Sequence, residues 1–370
     1  MKKSIIKKSL CLFGVAAGAL GLATTAMPQY AVAQMKDFGG IELTIATFPS
    51  TWEIRFREEI GPAMEKMNVK LKFIGGRSDE FLNKLISAKG SPTFDVVEIT
   101  DHVFPEMLEG GFLNKLNFAN IPNSQFLNKA MYNDYKVGYW QTQQAILFNH
   151  EKFKELGIPK PTEPEDLLNP KLKGKVIFPS LTGYGAVSVI TAIAKKHGGN
   201  EKNIDPALPI LRKFSAQVHS FADFTPMSQA MKNGDIYAAF SSGGSARRLR
   251  DAGVPIGIHH LEIDGRRGVP SFGYLGSVKG SKHKEAAEAF INEAIGMEMQ
   301  EGIFINNGTI PTNSKLQERF AKEEDQERDP FGTLYRLLAP KTIAGMYYLK
   351  FDDIDRRAWG KKLQRVQVGK

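Results

Sequence analysis

The sequence predicts an α/β protein in which open sheets with flanking helices occur twice. Short runs rich in Ile, Val and Phe alternate with longer stretches of helical composition, the order expected of strands joined by crossover helices. The turns between them collect Ser, Thr and Gly. This order of features fills the chain up to about residue 143 and then recurs after it, without detectable repetition of sequence.

In the first set, Ile41 to Ala46 reads as a buried strand ending at Thr47-Phe48-Pro49-Ser50-Thr51, before a helical run from Trp52 to Met67. Val69 to Phe73 alternates apolar residues with Lys70 and Lys72, and Gly75-Gly76 turns into a helix from about Ser78 to Ala88. Phe94 to Ile99 is a third strand and ends in Thr100-Asp101-His102. Ligands of open α/β sheets sit beyond the carboxyl ends of the strands, so Ser50, Thr51, Thr100, Asp101 and His102 are candidate contacts. Arg77 stands where it pairs with Asp101 or with a ligand.

Gly138-Tyr139-Trp140-Gln141 leads into a strand from Gln144 to Asn149 that reads as a crossing between the two sets, which adds Gln141 to the candidates. The proline-rich stretch from Lys154 to Pro170 is a surface connection. Lys173 to Phe178 is a strand, followed by a turn carrying Ser180, Thr182, Gly183 and Tyr184 and by a helix from Ala186 to Lys196. Val218 to Phe221, with His219, and Ile236 to Phe240 are further strands; the second runs into Ser241-Ser242-Gly243-Gly244-Ser245 and a helix ending near Arg250. Ile256 to His260 completes the set, and the strand from Pro270 to Gly276 returns with Tyr274.

The two Ser/Thr/Gly turns share one chemistry. The first N–H groups of a helix have no intrahelical partner and carry the positive end of its dipole. Gly243 and Gly244 allow close approach to that backbone, and Ser180, Thr182, Ser241 and Ser242 add hydroxyl donors. Such turns bind phosphate or carboxylate oxygens better than cations, and His102 and His219 are candidate extra donors.

The first thirty-odd residues are read apart from the fold. Lys2, Lys3, Lys7 and Lys8 precede an apolar run from Leu10 to Ala23, and Ala31-Val32-Ala33 fits a small-x-small cleavage pattern. This is a secretory signal peptide over residues 1–33, which implies a periplasmic, soluble mature chain. Removing four Lys and no acid takes the formal charge from +9 to 9 − 4 = +5. No basic block with interleaved aromatics suggests nucleic acid. The single cysteine, Cys11, lies in the signal, so thiolate metal sites and cysteine nucleophiles are excluded from the mature chain. No metal site and no cofactor motif stands out, and a dinucleotide fingerprint fails at Ser188.

In order, Phe94-Asp95-Val96-Val97, Glu109-Gly110-Gly111-Phe112-Leu113, Asn169-Pro170-Lys171-Leu172-Lys173-Gly174-Lys175-Val176, Lys232-Asn233-Gly234-Asp235, Ala252-Gly253-Val254-Pro255-Ile256 and Lys279-Gly280-Ser281 resemble landmarks of the extracellular solute-binding proteins of ABC importers. The nearest branch is the one with polyamine, ferric-ion, thiamine and phosphonate binders. The resemblance implies a type II periplasmic binding protein fold, two lobes with open mixed sheets joined by two crossing strands. It also implies a ligand in the cleft, hinge closure, transient delivery to an inner-membrane permease, and a monomer that is not an enzyme. By that likeness one lobe is 36–143 plus 271–311, and the other is 144–270 plus 312–370.

A polyamine binder of this branch would place an acid on the returning strand and a tryptophan near the second-lobe turn. Here stand Pro270 to Gly276, without an acid, and Ser242. The favoured ligand is therefore a small organic anion such as a phosphonate, a phosphate ester or a carboxylate. The alternative is a polyamine such as spermidine or putrescine. A secreted hydrolase is more distant and would need Ser242 and His219 brought together.

Overall fold

The structure, a computed structural model, describes residues 36–49, 51–181, 183–324 and 327–367. The expected signal segment and the candidates Ser50 and Thr182 lie outside the described residues.

The first part of the chain runs β1 (Ile41–Thr47), α1 (Thr51–Arg55), α2 (Gly61–Lys66), β2 (Val69–Gly75), α3 (Ser78–Ala88), β3 (Val96–Thr100), α4 (Phe104–Glu109), β4 (Tyr132–Asn133) and β5 (Lys136–Asn149). The second part continues with α5 (His150–Glu155), β6 (Val176–Phe178), α6 (Tyr184–Lys196), α7 (Leu208–Gln217), β7 (Ser220–Phe221), α8 (Phe224–Asn233), β8 (Ala238–Ser242), α9 (Gly243–Asp251) and β9 (Ile256–His260). A small hairpin of β10 (Glu262–Ile263) and β11 (Arg266–Arg267) precedes β12 (Pro270–Ser277). The α-helices α10 (Lys284–Ala294), α11 (Met297–Gly302), α12 (Ser314–Glu324), α13 (Pro340–Ala344) and α14 (Arg356–Gln367) follow.

The helix expected from Trp52 to Met67 is interrupted. Phe56–Ile60 is a π-helical turn in which Gly61 N–H reaches Phe56 O. Pro62, next in line, has no N–H to donate, so the ladder widens there.

The sheets are mixed. Parallel strands β2, β1 and β3 lie side by side, and β12 runs antiparallel between β3 and β5. β5 begins at Lys136, earlier than its apolar run alone suggests. Its residues Val137 to Gln143 pair with β12, and Gln144 to Asn149 pair with β8 and β9. β6 lies parallel between β8 and β7.

Side chains alternate across a strand, and β5 shows the consequence. Ile146 and Phe148 enter a core with Val187, Ile190 and Ile193 of α6, Phe214 of α7 and Trp359 of α14. Ala145 and Leu147 enter another with Ala246 and Leu249 of α9 and with Tyr335. A separate core gathers Leu43, Ile45, Val96, Val97 and Ile99 with Phe56, Phe81 and Phe290.

A bulge on β5 shapes the middle of the sheet. Gly273 lies opposite Trp140 and Tyr274 opposite Gly138, so Tyr139 is the extra residue. Trp140 lies flat against Gly273, where a side chain would overlap its indole. Trp52 stacks on Trp140 at 5.5 Å and meets Tyr139 edge-on at 5.4 Å.

Candidate ligand-binding site

An ion pair joins two helix starts that follow strand ends. Arg77 Nη1 lies 3.2 Å from Asp223 Oδ2, joining the residue before α3 to the residue before α8. Its Nε also lies 3.3 Å from Asp79 Oδ1. The Arg77 backbone N–H donates to Glu80 at 3.2 Å, which fixes the start of α3.

Asp223 makes no capping bond to its own helix. Its Oδ1 instead lies 3.2 Å from where a side chain on Gly183 would begin. Gly183 opens α6, a 13-residue helix with no side-chain cap, and its N–H is turned back to Ser180 O at 2.7 Å. Ser180 and Gly183 thus sit beside Asp223 and Arg77. The expected pairing of Arg77 with Asp101 is not found, because each is held elsewhere.

Glu98, which the apolar reading of β3 passed over, organises the adjoining loop. It is fully buried and accepts from Thr47 Oγ1 at 2.5 Å, Phe48 N at 3.0 Å and Trp140 Nε1 at 2.9 Å. Burial raises its pKa, and these donors pull it back down. One carboxylate therefore ties the loop after β1 to the bulge of β5. The signal available in sequence was a lone acid inside an apolar strand.

The remaining candidates divide. Thr51 is exposed at the start of α1, and His219 is exposed at the edge strand β7. The hydroxyls of Thr100 and Ser271 are buried, at 3% and 1% exposure, and meet no protein partner. Thr100 lies opposite Gly273, two residues along β12 from Ser271, so strand alternation sets both on the Trp140 side. Gln141 points to the other side, with both amide atoms buried and unpartnered, while its backbone exchanges hydrogen bonds with Ile310 at 2.9 and 2.8 Å. A buried polar group left unmet costs about 1–3 kcal/mol, so these positions call for a ligand or water.

Asp101 and Tyr274 are buried and bonded to each other. Asp101 accepts from Phe272 N at 2.6 Å and Tyr274 OH at 2.7 Å, bracing β3 against β12. Burial raises its pKa to about 6, although Lys136 nearby opposes the shift. Lys136 lies 3.6 Å from the Tyr274 ring centre and 4.0 Å from that of Phe104. Its own pKa falls to about 8 by burial. His102 is buried and held neutral, its pKa lowered to about 3 by burial and then by Arg356.

The turn at Ser241–Gly244 differs most from expectation. Ser242 caps α9, accepting from Ser245 N at 3.3 Å, and its hydroxyl lies 3.0 Å from that of Ser245. Gly243 and Gly244 are buried, and a side chain on either would overlap the carbonyl of Tyr335 or of Gly308. Arg248 donates to Asn307 O. The carbonyls of Tyr335 and Gly308 thus pack against the α-carbons of this turn. Ser242 and His219 are not hydrogen-bonded to each other; His219 N–H is spent on Val176 O.

The model of the bacterial extracellular solute-binding protein family matches residues 60–330. The chain belongs to that family. It is the family of ABC-importer binding components that the ordered motifs resemble. No curated protein matches the chain in sequence. The extracellular solute-binding protein shares its fold with solved structures of low identity. Iron-bound HitA from Pseudomonas aeruginosa is 16% identical over 88% of this chain and 99% of its own, with a TM-score of 0.70. The Atu4243-GABA receptor is 18% identical over 89% and 97%, with a TM-score of 0.69. MotA from A. tumefaciens B6 in complex with glucopine is 18% identical over 89% and 98%, with a TM-score of 0.65. The fold is that of type II periplasmic binding proteins.

Two expected outcomes follow for the solute-binding protein. Gly244→Ala should destabilise it by at least about 2 kcal/mol in urea denaturation, because the added carbon meets a backbone carbonyl that cannot turn aside. An unchanged midpoint would reopen that turn as a site. Asp101 is harder to ionise in the folded state, since its pKa stands at about 6 against an ordinary 3.8. Its contribution is therefore fully present below about pH 4 and is lost as pH rises through about 6. Wild-type stability minus that of Asp101→Asn should fall between pH 4 and 6; a flat difference would contradict the burial account.

Proposed function

We propose that the protein is the periplasmic solute-binding component of an ABC importer, capturing a small organic anion between two lobes and passing it to a permease. The lobes are 36–143 plus 271–311 and 144–270 plus 312–370, closing about β5 and β12. The mature protein, cleaved near Ala33, acts as a monomer and without catalysis. The observation that carries the ligand class is that Asp223 brings Arg77 and the uncapped start of α6 at Gly183 beside one carboxylate. A guanidinium and a helix start without a side-chain cap together suit a carboxylate, phosphonate or phosphate ester.

Asp79 and Asp223 on either side of Arg77 keep a polyamine as the second reading. Ferric ion is disfavoured, because the hydroxyls of Tyr347 and Tyr348 donate to Glu201 at 2.8 Å and to Ile343 O at 3.1 Å. A fold shared with structures that hold iron, GABA or glucopine sets no ligand by itself.

A thermal-shift panel of phosphonates, phosphate esters, carboxylates, polyamines, thiamine and ferric citrate tests the reading. A ligand that binds only the folded state adds about 2.7 kcal/mol at a hundredfold excess over Kd. An anion should raise Tm, and Arg77→Gln should weaken that anion about tenfold, the size of a lost charge-assisted hydrogen bond. Stabilisation by polyamines and not by anions would overturn it.

A further inference from the structure

Arg77 and Asp223 join two parts of the molecule by an ion pair. Arg77 belongs to the end of the molecule built on β1, β2 and β3; Asp223 precedes α8, which packs near β8. Both side chains are about half exposed, at 46% and 50%, so neither is committed to a core. Asp223 also rests against the start of α6, where the anionic group of a ligand would sit.

We propose that the Arg77–Asp223 pair is a latch that favours the closed cleft, and that a zwitterionic solute replaces it by exchange of partners. The inference rests on the organic-anion reading and narrows it. In the exchange, the acid group of the solute takes Arg77 and the N–H groups of α6, and its amino group takes the released Asp223. Both sides of the cleft then stay bridged, now through the ligand. A solute with only an acid would displace Asp223 and leave that carboxylate facing another anion. A solute with only an amine would leave Arg77 with Asp79 alone and the start of α6 empty. Discrimination against singly charged analogues therefore lies in this pair, because each leaves one charge uncompensated.

The latch is read directly in ligand-free protein. Cys11 is the only cysteine, so in a chain carrying Cys11→Ser the exposed Lys84→Cys and Lys232→Cys accept spin labels on α3 and α8 without competition. Double electron–electron resonance should show a dominant short distance in this parent. Arg77→Gln and Asp223→Asn should each raise the ratio of the long to the short population roughly two- to fivefold, the size that a half-exposed pair supports. The exchanged pair Arg77→Asp with Asp223→Arg should restore the parent ratio. Equal distributions in all four proteins would remove the latch.

The exchange is read with ω-amino acids from glycine to 6-aminohexanoate beside carboxylic acids and alkylamines of equal length. An amino acid of fitting length should narrow the distribution to the short distance and raise Tm. Its singly charged analogues should do neither, and Asp223→Asn should lose the response at least tenfold. Closure by the carboxylic acid alone would leave the organic-anion reading standing and overturn the exchange. No response to any amino acid of the series overturns the exchange as well.

Discussion

The molecule depends on one constraint, that β5 must be paired along its whole length. Its 14 residues are almost all buried, and a buried backbone N–H or C=O without a partner is costly. β12 satisfies the first half, and β8 and β9 satisfy the second. One strand therefore runs continuously from one core into the other. The cores cannot separate without tearing its ladder, whose partners change between Gln143 and Gln144.

That point is also where the chemistry gathers. The bulge at Tyr139 presents Trp140 against Gly273, and Glu98 holds its indole N–H together with the loop after β1. A change at the loop thus reaches the crossing strand through a single carboxylate. Asp223, before α8, touches both Arg77, before α3, and the start of α6 at Gly183. Arg77 and Asp223 form a half-exposed pair, which costs little to part.

Much of the fold was legible from the sequence because apolar runs bounded by Gly, Ser and Thr mark buried strands. Ile41 to Ala46, Val69 to Phe73 and Ile256 to His260 lie where the runs place them. The first half of β5 was not legible, since Gly138, Gln141 and Thr142 interrupt its apolar pattern and it is a strand only through β12. The two Ser/Thr/Gly turns carry the same local signal yet differ in outcome. Gly183 opens beside Asp223, whereas Gly243 and Gly244 are covered by Tyr335 and Gly308, residues distant in sequence. Periodicity and composition contain no information about such a cover. Asp101 misled for a related reason, because a carboxylate at a strand end serves a ligand or the neighbouring strand equally well. Asp223 was missed since an acid before a helix reads as an ordinary cap, and only its distance to Arg77 shows otherwise.

The central claim is that ligand binds at the helix starts around β5 and leaves β5 and α9 as they are. Hydrogen exchange measured by mass spectrometry, with and without the compound that raises Tm, tests it most directly. Amides of residues 77–80, 183–186 and 223–226 should gain protection while those of 137–148 and 243–246 remain unchanged. Protection gained at 243–246 with none at 183–186 would contradict the account.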